Sequence, residues 1–346
     1  MDTADLDYGL PASSIAQTPV EPRDAARLLV APATGPVQHR TVADLPGLLD
    51  HGDVLLVNDT RVIPARLHLR KPTGGAVEVL LLERRPEGHW EALVKPSRRV
   101  ADGTVLHAEA EAGAGGAVEL TVEVGPVLGG DGRRQVTIHG GTDDDLAVLG
   151  RVGEVPLPPY IHEPLADPER YQTVFAQHPG SVAAPTAGLH LTDAVLDACR
   201  ERGVAVAPIE LTVGLGTFRP ITTDRVEDHP MHAERYRIPV ATQEVLTGRQ
   251  GRVIAVGTTV VRAVESWAVT GEAEAATSLF IRGDYPFAVI DRLLTNFHVP
   301  RSSLLALVQS FTGPRWKDLY RTALDEGYRF LSFGDAMLLD RPQDPR

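Results

Sequence analysis

Apolar residues fall along this chain in two rhythms. Leu28-Leu29-Val30, Asp53-Val54-Leu55-Leu56-Val57 and Arg252-Val253-Ile254-Ala255-Val256 are short continuous runs, the mark of strands buried on both faces. Val204 to Val213 reads as a further strand. Between these lie helical spacings. Leu191 to Arg202 is amphipathic and stops at Gly203, a C-terminal cap, and Ser303 to Phe311 is apolar and helical until Gly313-Pro314. Gly257-Thr258-Thr259 opens a helix that continues through Trp267. Strands alternating with helices predict an α/β fold.

From about Arg66 to Arg151 the rhythm changes. Val77-Glu78-Val79-Leu80-Leu81-Leu82, Trp90-Glu91-Ala92-Leu93-Val94, Val118 to Val124 and Gln135-Val136-Thr137-Ile138 follow one another, separated by glycine-rich turns at 74–75, 113–116 and 129–130. Few segments there have helical period, so a small all-β barrel is predicted. The α/β pattern resumes after Pro156-Leu157-Pro158-Pro159-Tyr160, which makes the barrel an insertion. The expected division is 1–65 with 153–346 as a discontinuous α/β domain, and 66–152 as the barrel.

At 346 residues and 43% hydrophobic content the chain can fill two domains. An acidic start, Met1-Asp2-Thr3-Ala4-Asp5, and the lack of any run of about eighteen apolar residues argue against export or membrane insertion. Cytoplasm is the expected compartment and a monomer the expected state. The single cysteine, Cys199, excludes a disulfide framework and any multi-cysteine metal site. A net charge of −12 argues against indiscriminate nucleic-acid binding. Between Arg61 and Arg134, however, 11 Lys and Arg offset 10 Asp and Glu.

Polar, glycine-punctuated clusters interrupt the apolar runs where a chain that only packs has no need of them. Asn58-Asp59-Thr60-Arg61 and Thr295-Asn296-Phe297-His298 each follow an apolar run, and His190 follows Pro185-Thr186-Ala187-Gly188. Polar residues just past buried strands are where open α/β sheets hold ligands. Gly257-Thr258-Thr259 places N–H groups and two hydroxyls at a helix start, a seat for a carboxylate or phosphate; plain helix capping is the alternative. Val213-Gly214-Leu215-Gly216-Thr217-Phe218 lacks the third glycine of a dinucleotide fingerprint, and Pro220 follows too soon for a helix. A tight loop against a flat ligand, with Phe218 stacking, is expected instead. His229, His232 and Glu234 suggest metal ligands, but Pro230 breaks the geometry that would aim both imidazoles together. Acid–base or hydrogen-bonding roles fit them better, with ordinary loop residues as the alternative.

Taken together, Asp7-Tyr8-Gly9-Leu10-Pro11, Asn58 to Arg66, Pro156 to Ile161, Arg170 to Ala176, Gly180 to His190, Thr295 to His298 and Gly334 to Leu338 resemble one family. It is the S-adenosylmethionine:tRNA ribosyltransferase-isomerases of queuosine biosynthesis, and the resemblance spans nearly the whole chain. Departures include Leu191, Val299 and Ser303, together with Arg282-Gly283-Asp284-Tyr285 and Ser310-Phe311-Thr312-Gly313.

The resemblance implies an α/β domain interrupted by a β-barrel and a transferase that consumes S-adenosylmethionine as a ribosyl donor. The acceptor is the aminomethyl group of a 7-deazaguanine at the tRNA wobble position. Products are epoxyqueuosine in tRNA, adenine and methionine. A paralogue making the same transfer onto a free deazapurine or another small acceptor, and a silent RNA-binding module, are the rival readings. That chemistry needs a base at the sugar carbon beside the sulfonium, which supplies acidity itself, so neither metal nor redox cofactor is expected. Departing adenine needs a proton donor, and the attacking amine must be neutral.

His190 or His298 is the expected base, with His229, His232 and Glu234 as the other titratable candidates. Asp59 and Glu210 would serve the amine or the ribose hydroxyls. Gly257, Thr258 and Thr259 would take the methionine carboxylate, and Tyr8, Phe218 and Phe297 would stack on a base. Arg61, Thr186, Gly214, Gly216, Thr217, Arg262, Thr295 and Asn296 complete the expected substrate contacts. The insert's arginines, Arg84, Arg85 and above all Arg98, Arg99, Arg133 and Arg134, are the expected tRNA footprint.

Overall fold

The apolar runs become strands of a nine-stranded mixed sheet, and the alternating stretches become a closed six-stranded barrel. This computed structural model describes residues 1–108, 120–129, 132–140, 145–214 and 220–342. In chain order the first strands are β1 (Arg27–Ala31), β2 (Gln38–Thr41), β3 (Val54–Asn58) and β4 (Thr60–Val62). The barrel strands follow: β5 (Arg66–Arg70), β6 (Ala76–Arg84), β7 (Trp90–Lys95), β8 (Thr104–Ala108), β9 (Thr121–Leu128) and β10 (Arg133–His139). Next come α1 (Asp145–Val152), β11 (His178–Ser181), α2 (Asp193–Glu201), β12 (Ala205–Leu211), β13 (Glu234–Arg237) and α3 (Val240–Gly248). The chain closes with β14 (Val253–Val256), α4 (Thr258–Thr270), β15 (Glu274–Thr277), β16 (Arg292–Asn296), α5 (Ser303–Thr312), α6 (Trp316–Asp325) and β17 (Ala336–Asp340).

The large sheet has the order β15-β13-β12-β3-β14-β16-β17-β1-β2. β12, β3, β14 and β16 are mutually parallel, so their carboxyl ends share one edge. β17 runs antiparallel to β16 and parallel to β1. Side chains alternate between faces along each strand. Leu28, Val30, Leu55, Val57, Ile254, Val256, Leu294 and Leu338 form one core with Leu191, Val195, Leu196 and Cys199. Cys199 is buried in that core, on the packing face of α2. α4 packs against β12, β3, β14 and β16, and α5 against β17.

The barrel order is β10-β7-β6-β5-β8-β9, all pairs antiparallel. Leu67, Leu69, Val77, Val79, Ala92, Val94, Leu106, Val122, Val124 and Val136 point inward and are buried. Arg134 is buried too, which overturns its expected tRNA contact: its guanidinium donates to the Gly125 and Val100 carbonyls and to Asp102. It stitches the barrel.

The chain divides into a sheet unit, Met1–Arg61 with Pro158–His178 and Ala184–Arg346, and a barrel unit, Val62–Leu157 with Pro179–Ala183. Compared with the boundaries expected after residues 65 and 152, the barrel starts earlier and ends later. Its extra residues are held by backbone: Ile63 N donates to Ser181 O at 2.9 Å, and Arg66 and Glu154 exchange hydrogen bonds at 2.8 and 3.0 Å. α1 is a helix that the barrel's alternating pattern did not announce.

Candidate active site

Four strand ends converge. β3 delivers Asn58-Asp59, β12 leads to Thr212-Val213-Gly214, β14 to Gly257-Thr258-Thr259, and β16 carries Thr295-Asn296 into Phe297-His298. Ligands of open α/β sheets bind along this kind of edge.

Asn296 is the hub. Thr186 Oγ1 donates to its Oδ1 at 2.9 Å, while its Nδ2 donates to His190 Nε2 at 2.9 Å and to the Leu331 carbonyl at 3.2 Å. Leu331 turns that carbonyl inward from φ 70°, a left-handed conformation uncommon for a side chain of its bulk. Gly188 lets the Thr186–His190 turn pack this closely, because a Cβ there would lie 2.7 Å from the Phe175 ring. His298 Nε2 meets Thr295 Oγ1 at 2.9 Å; its N–H donates to the Tyr320 hydroxyl at 3.0 Å and its carbonyl accepts from Tyr8 at 2.5 Å.

Both imidazoles are buried, and burial pulls each pKa down to about 3; Arg329, Arg170 and Arg23 add to the effect at His190. Both are therefore neutral at pH 7. Their positions differ. A small pocket is lined by His298 with Tyr160, Thr186, Asn296, Val299, Leu304 and Ser332, whereas His190 lies behind Asn296. Burial lifts the Tyr160 hydroxyl to about 12, and it pairs with Ser332 at 2.7 Å.

A second small pocket shares Leu304 with the first and is lined by His229, Met231, His232, Glu234, Arg262, Phe280, Ile281 and Ser303. Glu234 and Arg262 form a buried ion pair at its base, and Gly214 N donates to Glu234 Oε1 at 3.2 Å. Arg262 also donates to the Leu279 carbonyl at 3.0 Å. Glu234 and Arg262, expected as an acid–base group and a substrate contact, thus line the pocket with their charges paired to each other. Among the described residues no group of three His, Cys, Asp or Glu side chains is placed to hold a metal. His229 keeps an unpartnered, buried Nδ1, and burial with His232 nearby lowers its pKa.

Several other expectations change. Phe297 is completely buried against Tyr320, Tyr328 and Phe330, so its ring is closed to a ligand. Tyr8 lies edge-on to Tyr320 and pins the His298 carbonyl, rather than offering a face for stacking. Glu210 pairs with Arg237 at 2.7 Å, and Arg61 pairs with Glu169 on the surface. Asp59 is buried; its Oδ2 meets His178 Nδ1 at 3.1 Å while Oδ1 has no partner among the described residues. Burial raises its pKa, with His178 opposing. Gly216, Thr217 and Phe218 lie outside the described residues.

On the barrel, Arg133 pairs with Glu91 at 2.6 Å, Arg85 with Glu83 and Glu91, and Arg84 with Asp145 at 3.0 Å. Arg98 and Arg99 are exposed with no acidic partner among the described residues. Lys71 Nζ donates to the Arg99 carbonyl, and β7 ends at Lys95 beside them.

Residues 3–339 match the family described as "Queuosine biosynthesis protein". The chain belongs to that family. Relatives named S-adenosylmethionine:tRNA ribosyltransferase-isomerase include one from Thermus thermophilus, 51% identical with 96% of this chain and 98% of its own covered. Another, from Rubrobacter xylanophilus, is 49% identical with 98% of both chains covered. The crystal structure of the Thermotoga maritima S-adenosylmethionine tRNA ribosyltransferase is 34% identical, with a TM-score of 0.54 over 96% of this chain and 99% of that one. The family match takes in the whole edge from Asn58 to Asp335.

Sequence reasoning missed several residues of this site. Glu265 is fully buried and accepts from the backbone N–H groups of Ala288, Val289 and Ile290 at 2.8 to 3.0 Å, fixing the loop after Tyr285. Asp335 is buried and takes the N–H groups of Arg27 and Arg329 at 2.9 and 2.8 Å. Glu265 carries no local signal, because its partners are backbone groups 23 to 25 residues further along the chain, whereas Asp335 stands within the family motif Gly334 to Leu338. Tyr160 likewise stands within a family motif, Pro156 to Ile161.

Proposed function

We infer that this chain transfers and isomerises the ribosyl group of S-adenosylmethionine onto 7-aminomethyl-7-deazaguanine at the tRNA wobble position. The products are epoxyqueuosine-tRNA, adenine and methionine. The observation that carries this is the family match along nearly the entire chain, with relatives near half identity bearing that activity in their names.

Within the site, His298 is the base that takes the proton from the sugar carbon beside the sulfonium. Its support is position: it lines the cavity, it is neutral, and Thr295 Oγ1 beside Nε2 can rotate to donate or accept. His190 is a positioning residue, because its Nε2 lone pair already holds the Asn296 amide. Asp59 is the carboxylate for the acceptor amine, since its buried Oδ1 still wants a donor. The sulfonium activates its own neighbouring carbon, so the reaction runs without metal or redox cofactor. Lys71, Lys95, Arg98 and Arg99 contact the tRNA backbone; two of the chain's three lysines are in that group.

Incubation with S-adenosylmethionine and tRNA carrying the aminomethyl base, in the presence of a chelator, tests this reading. Equal release of adenine and methionine is expected. A loss of turnover that one particular divalent ion restores would count against it.

A further inference from the structure

We propose that the start of α4 holds the carboxylate of the methionyl arm of S-adenosylmethionine; the proposal rests on the functional reading above and adds to it a binding subsite. α4 is a 13-residue helix that begins where the central parallel strand β14 ends. Its N-cap is Gly257, held at φ 94°, a conformation that glycine adopts without strain, and no side chain caps the helix. The first N–H with a backbone partner inside the helix is Val261, at 3.4 Å to Gly257 O. Those of Thr258, Thr259 and Val260 have no acceptor among the described residues, as expected of an uncapped helix start.

A helix start alone would say little. Here a second observation points to a ligand. Thr259 is 7% exposed, yet its Oγ1 is buried without a hydrogen-bond partner. A Cβ built on Gly257 would lie 3.6 Å from that oxygen, which puts the hydroxyl beside the N-cap of the uncapped helix. Leaving a buried hydroxyl unpaired is costly unless something else completes it. Three unpaired N–H donors and one unpaired hydroxyl at the same helix start, the positive end of a helix dipole, suit an anion.

The occupant follows from size and position. The same Gly257 Cβ would lie 3.7 Å from Ala187, the neighbour of the cavity-lining Thr186. β14 and β16 are adjacent parallel strands, about 4.8 Å apart, so the seat is next to Thr295-Asn296 and His298. Neighbouring strand ends put the seat on the same edge as His298, as a methionyl arm of a few bonds requires. Thr258 and Thr259 are almost completely buried, which suits the tip of a small ligand better than a phosphate of a polymer backbone.

The test compares binding of S-adenosylmethionine and its decarboxylated analogue to the wild type, Thr259→Val and Thr259→Ser by calorimetry, with thermal melts to confirm folding. Wild type should bind S-adenosylmethionine roughly tenfold or more tighter than the analogue, given the strength of hydrogen bonds to a charged group. Thr259→Val should lose most of that difference by weakening only the carboxylate-bearing ligand, and Thr259→Ser should keep it. Equal binding of both ligands by the wild type, or an equal loss of both in Thr259→Val, would overturn the seat while leaving the functional reading intact. Thr259→Val that binds both ligands normally but tRNA weakly would assign the seat to a phosphate and overturn the proposal. A wild type that binds neither ligand would refute the functional reading and the seat with it.

Discussion

His190 and His298 are neutral because burial leaves an imidazolium without water, and each is held at about 3 against an ordinary 6.5. The unfolded chain therefore takes up protons between those values that the folded chain does not. The contribution to stability is complete above about pH 6.5 and is lost as the pH falls towards 3. Urea midpoints should accordingly drop between pH 7.5 and pH 5, and more gently in His190→Gln; a midpoint independent of pH would show that the imidazoles are solvated. The two residues should also separate in catalysis. His298→Ala should slow adenine release by roughly a hundredfold or more, the scale of a lost general base. His190→Ala should cost less and respond to the state of Asn296, since it acts through that amide. If neither variant is slowed, the base lies among His229 and its neighbours.

At the scale of elements, the buried Glu234–Arg262 pair ties the first residue of β13 to α4. Glu234→Ala strands a buried guanidinium, which costs about 3–5 kcal/mol when one partner of such a pair is removed. A clear fall in melting temperature is expected, and a melt unchanged within error would mean that Arg262 finds water instead. Periodicity made the strands and the main helices legible: the runs at 54–57 and 253–256 are buried on both faces, and the 191–202 spacing became α2 against the core. What stayed hidden was commitment. Nothing in Glu234, Arg262 or Glu210 as letters says that each carries an ion-pair partner, and Phe297 looks the same in a sequence whether its ring is open or enclosed. Those facts arise from pairings across tens or hundreds of residues, such as Asn296 with Leu331 and His190. The family motifs located the edge; side-chain geometry supports the roles proposed above.

Over the whole molecule, an acidic chain with a net charge of −12 must hold an anionic tRNA through local interactions. Arg98→Ala with Arg99→Ala should weaken tRNA binding and flatten its log–log salt dependence by about 0.7–0.9 for each phosphate no longer neutralised. Affinity for S-adenosylmethionine should not change. Arg134→Ala should instead destabilise the barrel, because its donors serve Gly125, Val100 and Asp102. If both tRNA affinity and its salt slope survive the Arg98/Arg99 change, the barrel's basic end is not an RNA surface.

The identity of the acceptor is tested most directly by competition. Wild-type protein should be given S-adenosylmethionine together with equal amounts of tRNA bearing the aminomethyl-deazaguanine and of the free base, and both pools should be read by mass spectrometry. The expected result is epoxyqueuosine in the tRNA nucleosides, one adenine released per modified tRNA, and the free base unchanged. Ribosylated free base with unmodified tRNA would contradict it.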